Sequence, residues 1–428
     1  MPTQPPVSPC APTRRHLLSC LLAAGSAMAA PLALGQQARD TAPGRLIVVF
    51  LRGAYDGLSA LVPHGDSHYY ALRPSIALAA PDGTDQTALK LDQLFGLHPA
   101  LAPLLPLWQQ GVLAAIPAAG LADATRSHFD AQHQWEVGIP GHSGAAQGWL
   151  NTLAGMGLGD AGSNPVAMGV GEANPQILMG RAAVQLVPHG QAATRPGALG
   201  DQRARDAVMQ LYAGQDTLAQ AFRAGADSRL QTAQTLSHDM AEPAMGGADM
   251  QAANNGAGTA RGLVLDAQHL GRLMRQQRPL RLGFLSAGGW DTHANQGAAS
   301  GTLASNLGQL AAALLQLRRD FDQANDVIVV CSEFGRTSAE NGTRGTDHGH
   351  GNTLWLLGNR VQGGRWHGQW SGLAAADLHE GRDLPVHHDF RAILAQVLRS
   401  SLALRPAELD RLFPGFSWDA RLNGLMRA

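Results

Sequence analysis

Acidic and imidazole side chains cluster at two places in the sequence. One is a glycine-led turn with Asp291 and His293 two residues apart, and the other is a glycine loop with Asp347, His348 and His350. Together with Glu333, these residues form the ligand set that zinc and mixed divalent sites use, because imidazole and carboxylate oxygens suit such ions. The spacing therefore predicts a metal site, with a hydrogen-bonded turn as the alternative interpretation.

A second chemical group lies earlier in the chain, at Arg126-Ser127-His128. A helix is predicted to begin near Ser127, where free backbone N–H groups favour an anion or an oxyanion. A serine held there beside a divalent ion can be a nucleophile on phosphate or sulfate esters, and Arg126 and His128 favour a catalytic role. The alternatives are an ordinary helix N-cap and a Ser-His-Asp hydrolase, although no serine stands in a G-x-S-x-G motif.

Three buried strands are predicted to position these groups, at Arg45–Leu51, Leu280–Ser286 and Val327–Cys331. An amphipathic helix over Leu303–Ala324 joins the last two, and a strand-helix-strand unit of this length favours a parallel crossover. Both clusters are then expected at one sheet edge, at the carboxyl ends of strands, where open α/β sheets bind ligands. Asp56, in a turn after the first strand, is a further metal-ligand candidate or a turn former.

Composition excludes several classes of function. The chain has 428 residues with 45% hydrophobic and 15% charged residues, which is enough to bury a large core. A formal net charge of −1 provides no basic field for nucleic acid. The first glycine turn contains neither G-x-G-x-x-G nor a Walker lysine, so nucleotide binding is not predicted.

The amino-terminal residues 1–35 are predicted to be a twin-arginine signal peptide. Arg14 and Arg15 precede an apolar run, Leu17–Leu34, that Pro31 interrupts. The export machinery is therefore an expected partner, the location is periplasmic or secreted, and no stable membrane span is expected after cleavage. Cys331 is then the one cysteine outside the leader, so no intrachain disulfide is expected.

Residues 45–415 are predicted to form a single α/β domain, with a flexible loop near 238–258 that is rich in Met, Ala, Gly and Asn. Five ordered motifs within this range resemble an uncharacterised bacterial family, the domain of unknown function 1501. The motifs are Arg52-Gly53-Ala54-Tyr55-Asp56-Gly57-Leu58, Arg126-Ser127-His128-Phe129-Asp130, Gly288-Gly289-Trp290-Asp291-Thr292-His293, Ser332-Glu333-Phe334-Gly335-Arg336-Thr337 and Asp347-His348-Gly349-His350-Gly351.

That family is itself similar to the alkaline phosphatase and sulfatase superfamily. The resemblance implies an alkaline-phosphatase-like α/β fold with a mostly parallel central sheet and helices on both faces. It also implies a role for each matching residue: Ser127 as nucleophile, and Asp56, Asp291, His293, Glu333 and His348 or His350 as metal ligands. Phe334 stands where the superfamily has a histidine ligand, so one metal ion, or a different geometry, is expected in place of two.

These observations together predict an exported hydrolase, metal-dependent in this interpretation, whose substrate is a small anionic phosphate or sulfate ester. Zinc is the expected ion, with manganese or magnesium as alternatives, and Arg126 or Arg336 would bind the anionic group. The alternative is a non-catalytic periplasmic binding or assembly factor that keeps the fold.

Overall fold

The structure is a computed structural model that describes residues 44–141, 144–158, 164–236 and 256–427. The predicted leader and most of the predicted loop at 238–258 lie outside these residues. The described residues belong to one compact unit. Among them, no helix combines the length and the hydropathy that crossing a bilayer requires.

Twelve strands occur in the described part of the chain. They are β1 (Leu46–Leu51), β2 (Leu61–Val62), β3 (Leu89–Lys90), β4 (Gly96–Leu97), β5 (Leu113–Gly120), β6 (Ala167–Gly171), β7 (Val184–Pro188), β8 (Leu282–Ala287), β9 (Val327–Cys331), β10 (Asn352–Gly358), β11 (Arg365–Trp366) and β12 (His388–Asp389).

Eleven α-helices accompany them over the same residues. They are α1 (Gly57–Ala60), α2 (Tyr69–Leu72), α3 (Leu105–Gln109), α4 (His128–Val137), α5 (Trp149–Ala154), α6 (Gln202–Leu211), α7 (Thr217–Leu236), α8 (Leu263–Gln276), α9 (Thr302–Asp320), α10 (Phe390–Ser401) and α11 (Pro406–Leu412).

The central sheet has the strand order β11-β5-β10-β9-β1-β8-β6-β7, and β12 pairs with β5. Strand β1 pairs in parallel with β8 on one side and with β9 on the other. Strands β6 and β7 continue the parallel arrangement beyond β8. Strand β10 is antiparallel to both β9 and β5, so β5 runs in the same direction as β9. The predicted mostly parallel sheet is therefore confirmed.

Helices cover both faces of the sheet because the central strands are apolar on both sides. Alternate residues point to opposite faces, so Ile47 and Val49 of β1 enter one core while Val48 and Phe50 enter the other. Helices α8 and α9 pack into the first core. Helices α4 and α10 pack into the second. Burial on both faces explains the continuous hydrophobic runs of these strands.

Three connections deliver polar residues to one edge of this sheet. Helix α9 joins β8 to β9, and both strands are parallel to β1, so their carboxyl ends lie together. Strand β5 points the same way, and the chain after it leads into α4, which begins at His128. The segments that follow β5, β8 and β9 therefore all lie at this edge. For β8 and β9, this is the arrangement that the predicted parallel crossover implies.

Candidate metal centre

Three imidazoles and one carboxylate converge at this sheet edge. The Nε2 atom of His348 lies 3.0 Å from Nε2 of His128 and 3.1 Å from Nε2 of His293. Oδ1 of Asp291 lies 2.9 Å from Nε2 of His293 and 3.2 Å from Nε2 of His348, and Oδ2 lies 3.5 Å from Nε2 of His128. Among the described residues, His128, Asp291 and His348 form the group whose donor atoms could hold a metal ion.

These four residues come from three segments of the edge. His128 is the first residue of α4, Asp291 and His293 lie in the turn after β8, and His348 lies in the loop after β9. The structure thus brings together Asp291 and His293 of the first predicted cluster and His348 of the second, and it adds His128 to them.

The second ring nitrogen of each imidazole contacts an acceptor. Nδ1 of His128 lies 2.8 Å from Oε1 of Glu333, and Nδ1 of His348 lies 2.9 Å from the carbonyl oxygen of Arg126. Nδ1 of His293 lies 3.0 Å from Oδ1 of Asp347. Metal-ligating histidines usually donate their other N–H in this way, which fixes the orientation of the ring.

These contacts determine which nitrogens face the centre. Carboxylate and carbonyl oxygens accept hydrogen bonds, so Nδ1 carries the proton in all three rings. In a neutral ring, Nε2 then carries a lone pair, and Nε2 of His348 faces the Nε2 atoms of both His128 and His293 as well as Asp291. Lone pairs about 3 Å apart repel one another unless a proton or a cation lies between them.

The donor set fits a divalent transition-metal ion. Zinc takes histidine nitrogens and carboxylate oxygens in a tetrahedral arrangement, in which bonds of about 2.0 Å place neighbouring donors roughly 3.3 Å apart. The contacts between Asp291 and the three rings measure 2.9–3.5 Å. Imidazole nitrogens also favour zinc over magnesium, which prefers oxygen ligands.

Opposite charges within the centre shift the pKa values of His128 and Asp291 so that each favours the charged form of the other. Burial opposes the charged form of His128, but the carboxylates of Asp291 and Glu333 outweigh it and raise the pKa of His128 to about 9. Burial also opposes ionisation of Asp291, yet hydrogen bonds from His128, His348 and Arg336 hold the pKa of Asp291 well below its usual range. The carboxylate is therefore ionised at neutral pH, as a metal ligand must be.

Arg336 acts on the centre through Asp291. Its Nη1 atom donates to Oδ1 of Asp291 at 2.5 Å, while Nε donates to Oγ1 of Thr346 at 3.1 Å. The guanidinium is fully buried. Arg336 therefore orients the carboxylate of Asp291. Because its guanidinium is already occupied by these hydrogen bonds, Arg336 is poorly placed for the predicted contact with a substrate anion.

Two predicted metal ligands are hydrogen-bond partners of the ligating rings. Glu333 is buried and orients His128, and Asp347, which is about half exposed, orients His293. Burial would raise the pKa of Glu333, but hydrogen bonds from His128 and Gln132 and the charge of His128 outweigh it and keep that pKa below its ordinary value.

Two other predicted ligands are not brought to the centre. Asp56 caps α1 and forms a buried ion pair with Arg73 at 2.6 Å, so its charge is already compensated. His350 is buried, with its ring 4.7 Å from that of His379. Burial and the neighbouring His379 lower the pKa of His350 to about 4. Neither belongs to the converging donor group.

The predicted catalytic residues Ser127 and Arg126 flank the centre. Ser127 caps α4, and its Oγ accepts the N–H of Asp130 at 3.4 Å, which is the N-cap role that the sequence leaves open. Arg126 forms ion pairs with Glu380 at 2.6 Å and Asp383 at 2.7 Å. Its side chain stays about one-third exposed.

Phe334 forms an apolar wall of the site. Its ring stacks on His128 at 4.9 Å between centroids and lies 5.2 Å from the ring of His348. On another side the centre is open, because the side chain of His293 is 44% exposed while that of His128 is 8% exposed. A ligand can therefore approach from the His293 side.

The place of His128 among the converging donor atoms is the feature that sequence reasoning missed. The signal for it is positional, because the segment after β5 reaches the same edge as the segments after β8 and β9. The carbonyl of Arg126, which orients His348, has no signal in the sequence, since any residue type offers a backbone carbonyl.

Solved structures similar to this chain include an alkaline phosphatase and a lipoteichoic acid synthase. Alkaline phosphatase from the Antarctic bacterium TAB5 is 12% identical, with a TM-score of 0.33 over 76% of this chain and 95% of that one. A mutant of the TAB5 enzyme was solved with Mg bound. The lipoteichoic acid synthase LtaP from Listeria monocytogenes is 8% identical, with a TM-score of 0.38 over 90% of this chain and 77% of that one.

Comparison with curated proteins gives no significant match. A protein-family model described as a protein of unknown function (DUF1501) matches residues 115–412. The matched range contains all four converging residues of the centre.

Proposed function

The chain belongs to the DUF1501 family, and we propose that it is a metal-dependent hydrolase of a phosphate or sulfate ester. One observation carries the proposal: three imidazole Nε2 atoms and the carboxylate of Asp291 converge, and each ring is oriented by a second acceptor. Perturbed ionisable groups that converge at the carboxyl ends of parallel strands are typical of active sites.

The ion in this proposal is zinc, with manganese or magnesium as alternatives, and His128, Asp291, His293 and His348 would hold it. A bound divalent ion acts as a Lewis acid that polarises an ester oxygen. The protein itself keeps Asp291 ionised through Arg336, and the Nδ1 contacts of His128 and His348 turn the Nε2 atom of each ring toward the centre.

Arg126 is the proposed binding group for the anionic part of the substrate. Its side chain is one-third exposed, whereas that of Arg336 is fully buried on Asp291. Arg382 lies close by, since its Nη2 atom donates to the carbonyl oxygen of His348 at 2.8 Å. Guanidinium groups suit phosphate and sulfate because they offer two parallel N–H donors.

Ser127 remains the proposed nucleophile. It directly precedes His128, so its hydroxyl lies one residue from a ligand of the centre, at the amino terminus of α4. The backbone N–H groups at that terminus favour negative charge on a reacting oxygen.

A non-catalytic binding or assembly factor is the second candidate function, and Phe334 is the observation that favours it. The ring covers His128 and His348 from one side, where a ligating residue would be needed for a second ion. Such a protein would bind metal without hydrolysing esters.

Metal analysis combined with ester hydrolysis tests the proposal. We expect about one equivalent of zinc in the purified protein and hydrolysis of 4-nitrophenyl phosphate or sulfate. Asp291→Asn and His348→Ala should lose both, while His68→Ala, which changes an exposed histidine, should keep both. Metal below about a tenth of an equivalent after zinc loading would exclude the metal centre. Full loading without hydrolysis would favour the binding factor.

Export through the twin-arginine pathway to the periplasm or the medium is also a proposal, and it rests on Arg14 and Arg15 in the leader sequence. Lysine at both positions should leave the unprocessed protein in the cytoplasmic fraction. Normal processing of that variant, measured by fractionation and mass spectrometry, would contradict this route.

A further inference from the structure

A cavity of about 540 Å³ lies at the edge of the sheet opposite the metal centre. Strand β10 runs antiparallel to β9, and Gly358 at its end pairs with Val327 at the beginning of β9. Arg360, which lines the cavity, follows two residues later. The volume falls within the range of about 300–1,000 Å³ that is usual for small-molecule sites.

Three arginines line this cavity, together with Gln396, Trp418 and Asn423. The backbone N–H of Arg427 donates to the carbonyl oxygen of Arg360 at 2.7 Å, which holds these two residues side by side. Arg399 lies in the last turn of α10, and its guanidinium stacks over the indole of Trp418 at 5.2 Å.

The charge of the cavity is uncompensated by the part of the chain that the structure describes. Its lining contains no aspartate or glutamate among the residues that the structure describes. None of Arg360, Arg399 and Arg427 forms an ion pair with a described carboxylate, whereas most buried acidic groups elsewhere are paired with arginine or histidine. Like charges gathered in a concave site raise the local potential and attract anions.

The polar groups of the lining are themselves held in place. The indole N–H of Trp418 donates to Oδ1 of Asn423 at 2.8 Å, and Nε2 of Gln396 donates to the carbonyl oxygen of Asp419 at 3.2 Å. One guanidinium of the three is also anchored, since Nη2 of Arg427 donates to the carbonyl oxygen of Gly111 at 2.5 Å. An anchored lining reduces the side-chain entropy that a ligand must remove on binding.

We propose that this cavity binds a small oxyanion, of the phosphate type, at a site separate from the metal centre. Guanidinium groups recognise phosphate oxygens with paired N–H donors, and three of them match a group that carries two or more charges. The same chemistry is offered by a soluble phosphate and by an anionic lipid headgroup, so both sources are distinguished below by experiment.

Isothermal titration of the full-length protein with inorganic phosphate tests the proposal. Arg360→Gln, Arg399→Gln and Arg427→Gln should each weaken binding at this site about tenfold, which is typical of a lost charged hydrogen bond. Arg399→Lys keeps the charge and should weaken it less. Arg319→Gln changes an exposed arginine on α9, which packs on the other face of the sheet, and should leave affinity unchanged.

The metal-centre variant His348→Ala separates the two sites. Phosphate binding that persists in His348→Ala and weakens in the arginine variants supports the cavity as the site. Phosphate binding that disappears in His348→Ala and is unaffected by the arginine variants assigns the anion to the metal centre and overturns the proposal. Equal unfolding temperatures of the variants exclude misfolding as the cause of a loss.

Sedimentation with vesicles identifies a lipid source. Phosphatidylcholine vesicles with phosphatidylglycerol should carry the protein down, and pure phosphatidylcholine vesicles should not, if a headgroup occupies the cavity. The Arg399→Gln variant should then stay in solution. If neither inorganic phosphate nor the anionic vesicles bind in an arginine-dependent way, the cavity is not an oxyanion site.

Discussion

Glu333 is a buried carboxylate whose ionised form is stabilised by hydrogen bonds. Its Oε1 atom accepts from the N–H of Gly53 at 2.8 Å, from Nδ1 of His128 at 2.8 Å and from Nε2 of Gln132 at 2.9 Å. Glu333 follows β9, and its Oε1 contacts both the turn after β1 and helix α4, so a single side chain connects these three segments at the ring of His128.

Replacement of Glu333 tests this orienting role. Glu333→Gln keeps the size of the side chain and removes its charge, so Nδ1 of His128 loses its ionised acceptor. We expect metal affinity to fall about 10- to 100-fold, as for other orienting partners of metal-bound histidines. Competition with a chromophoric chelator measures this fall. Glu408→Gln, in a surface ion pair with Arg405, should bind metal like the unchanged protein, and equal affinity in both variants would argue against the role.

Residue types and spacing were enough to predict Asp291, His293 and His348 as a group. They were not enough to separate a ligand from the residue that orients it. Glu333 was predicted as a metal ligand and His128 as a catalytic residue, whereas the ring of His128 reaches the converging donor atoms and Glu333 lies behind it. Asp56 shows the same limit, since its partner Arg73 is 17 residues away in a segment without a recognisable motif.

At the scale of elements, the loop between β9 and β10 folds back on itself. The N–H of Gly335 donates to the carbonyl oxygen of His350 at 2.8 Å, and the N–H of Gly349 donates to the carbonyl oxygen of Gly335 at 2.9 Å. An antiparallel bridge pairs Arg336 with His348. This pairing places the imidazole and the guanidinium on the same carboxylate, that of Asp291.

Two glycines of this loop provide a matched test. A Cβ atom at Gly335 would lie 1.8 Å from the carbonyl oxygen of Gly351, while one at Gly342 would meet nothing within 4 Å. Gly335→Ala should therefore lower the free energy of unfolding by about 1–3 kcal/mol and weaken metal binding. Gly342→Ala should change stability by less than about 0.5 kcal/mol. Urea denaturation measures both, and equal stability of the two variants would contradict the close packing.

The main elements were predictable where burial dominates. Strand β9 has the predicted bounds, and β1, β8 and α9 differ from the prediction by a few residues at their ends, because their apolar runs are long and uninterrupted. The conformation of the loop between β9 and β10 was not predictable. It depends on backbone contacts of glycines, which leave no periodic pattern in the sequence.

At the scale of the whole molecule, a buried ion pair joins distant parts of the chain. Arg73 contacts Asp56, and it also donates through Nε to the carbonyl oxygen of Ser338 at 2.9 Å and through Nη2 to that of Thr337 at 3.0 Å. Burial would raise the pKa of Asp56, but the charge and hydrogen bonds of Arg73 outweigh it and lower that pKa.

This pair predicts a specific dependence of stability on pH. The folded pKa of Asp56 lies below the unfolded value of about 3.9, so its contribution is present above roughly pH 4 and is lost as pH falls through the folded pKa. At pH 7, Asp56→Asn should lower the free energy of unfolding by about 3–5 kcal/mol because Arg73 is left buried and unpaired.

Urea denaturation across the acid range measures the effect. The difference between the unchanged protein and Asp56→Asn should shrink as the pH falls below about 4. The double variant Asp56→Asn, Arg73→Met removes both charges and should recover part of the loss. A difference that stays constant down to acid pH would show that Asp56 contributes by packing alone.

The position of β1 has a consequence for how the chain folds. This strand lies near the beginning of the described chain, yet it is the centre of the sheet, and Leu46 pairs with both Leu282 and Val327. During synthesis, β1 emerges from the ribosome long before β8 and β9, its two neighbours in the sheet. The central strand pairs can therefore form only late in synthesis. Such non-local pairing makes folding slow and leaves an apolar strand edge without partners in the meantime. We expect a nascent chain of this kind to need protection by chaperones until Cys331 has been made.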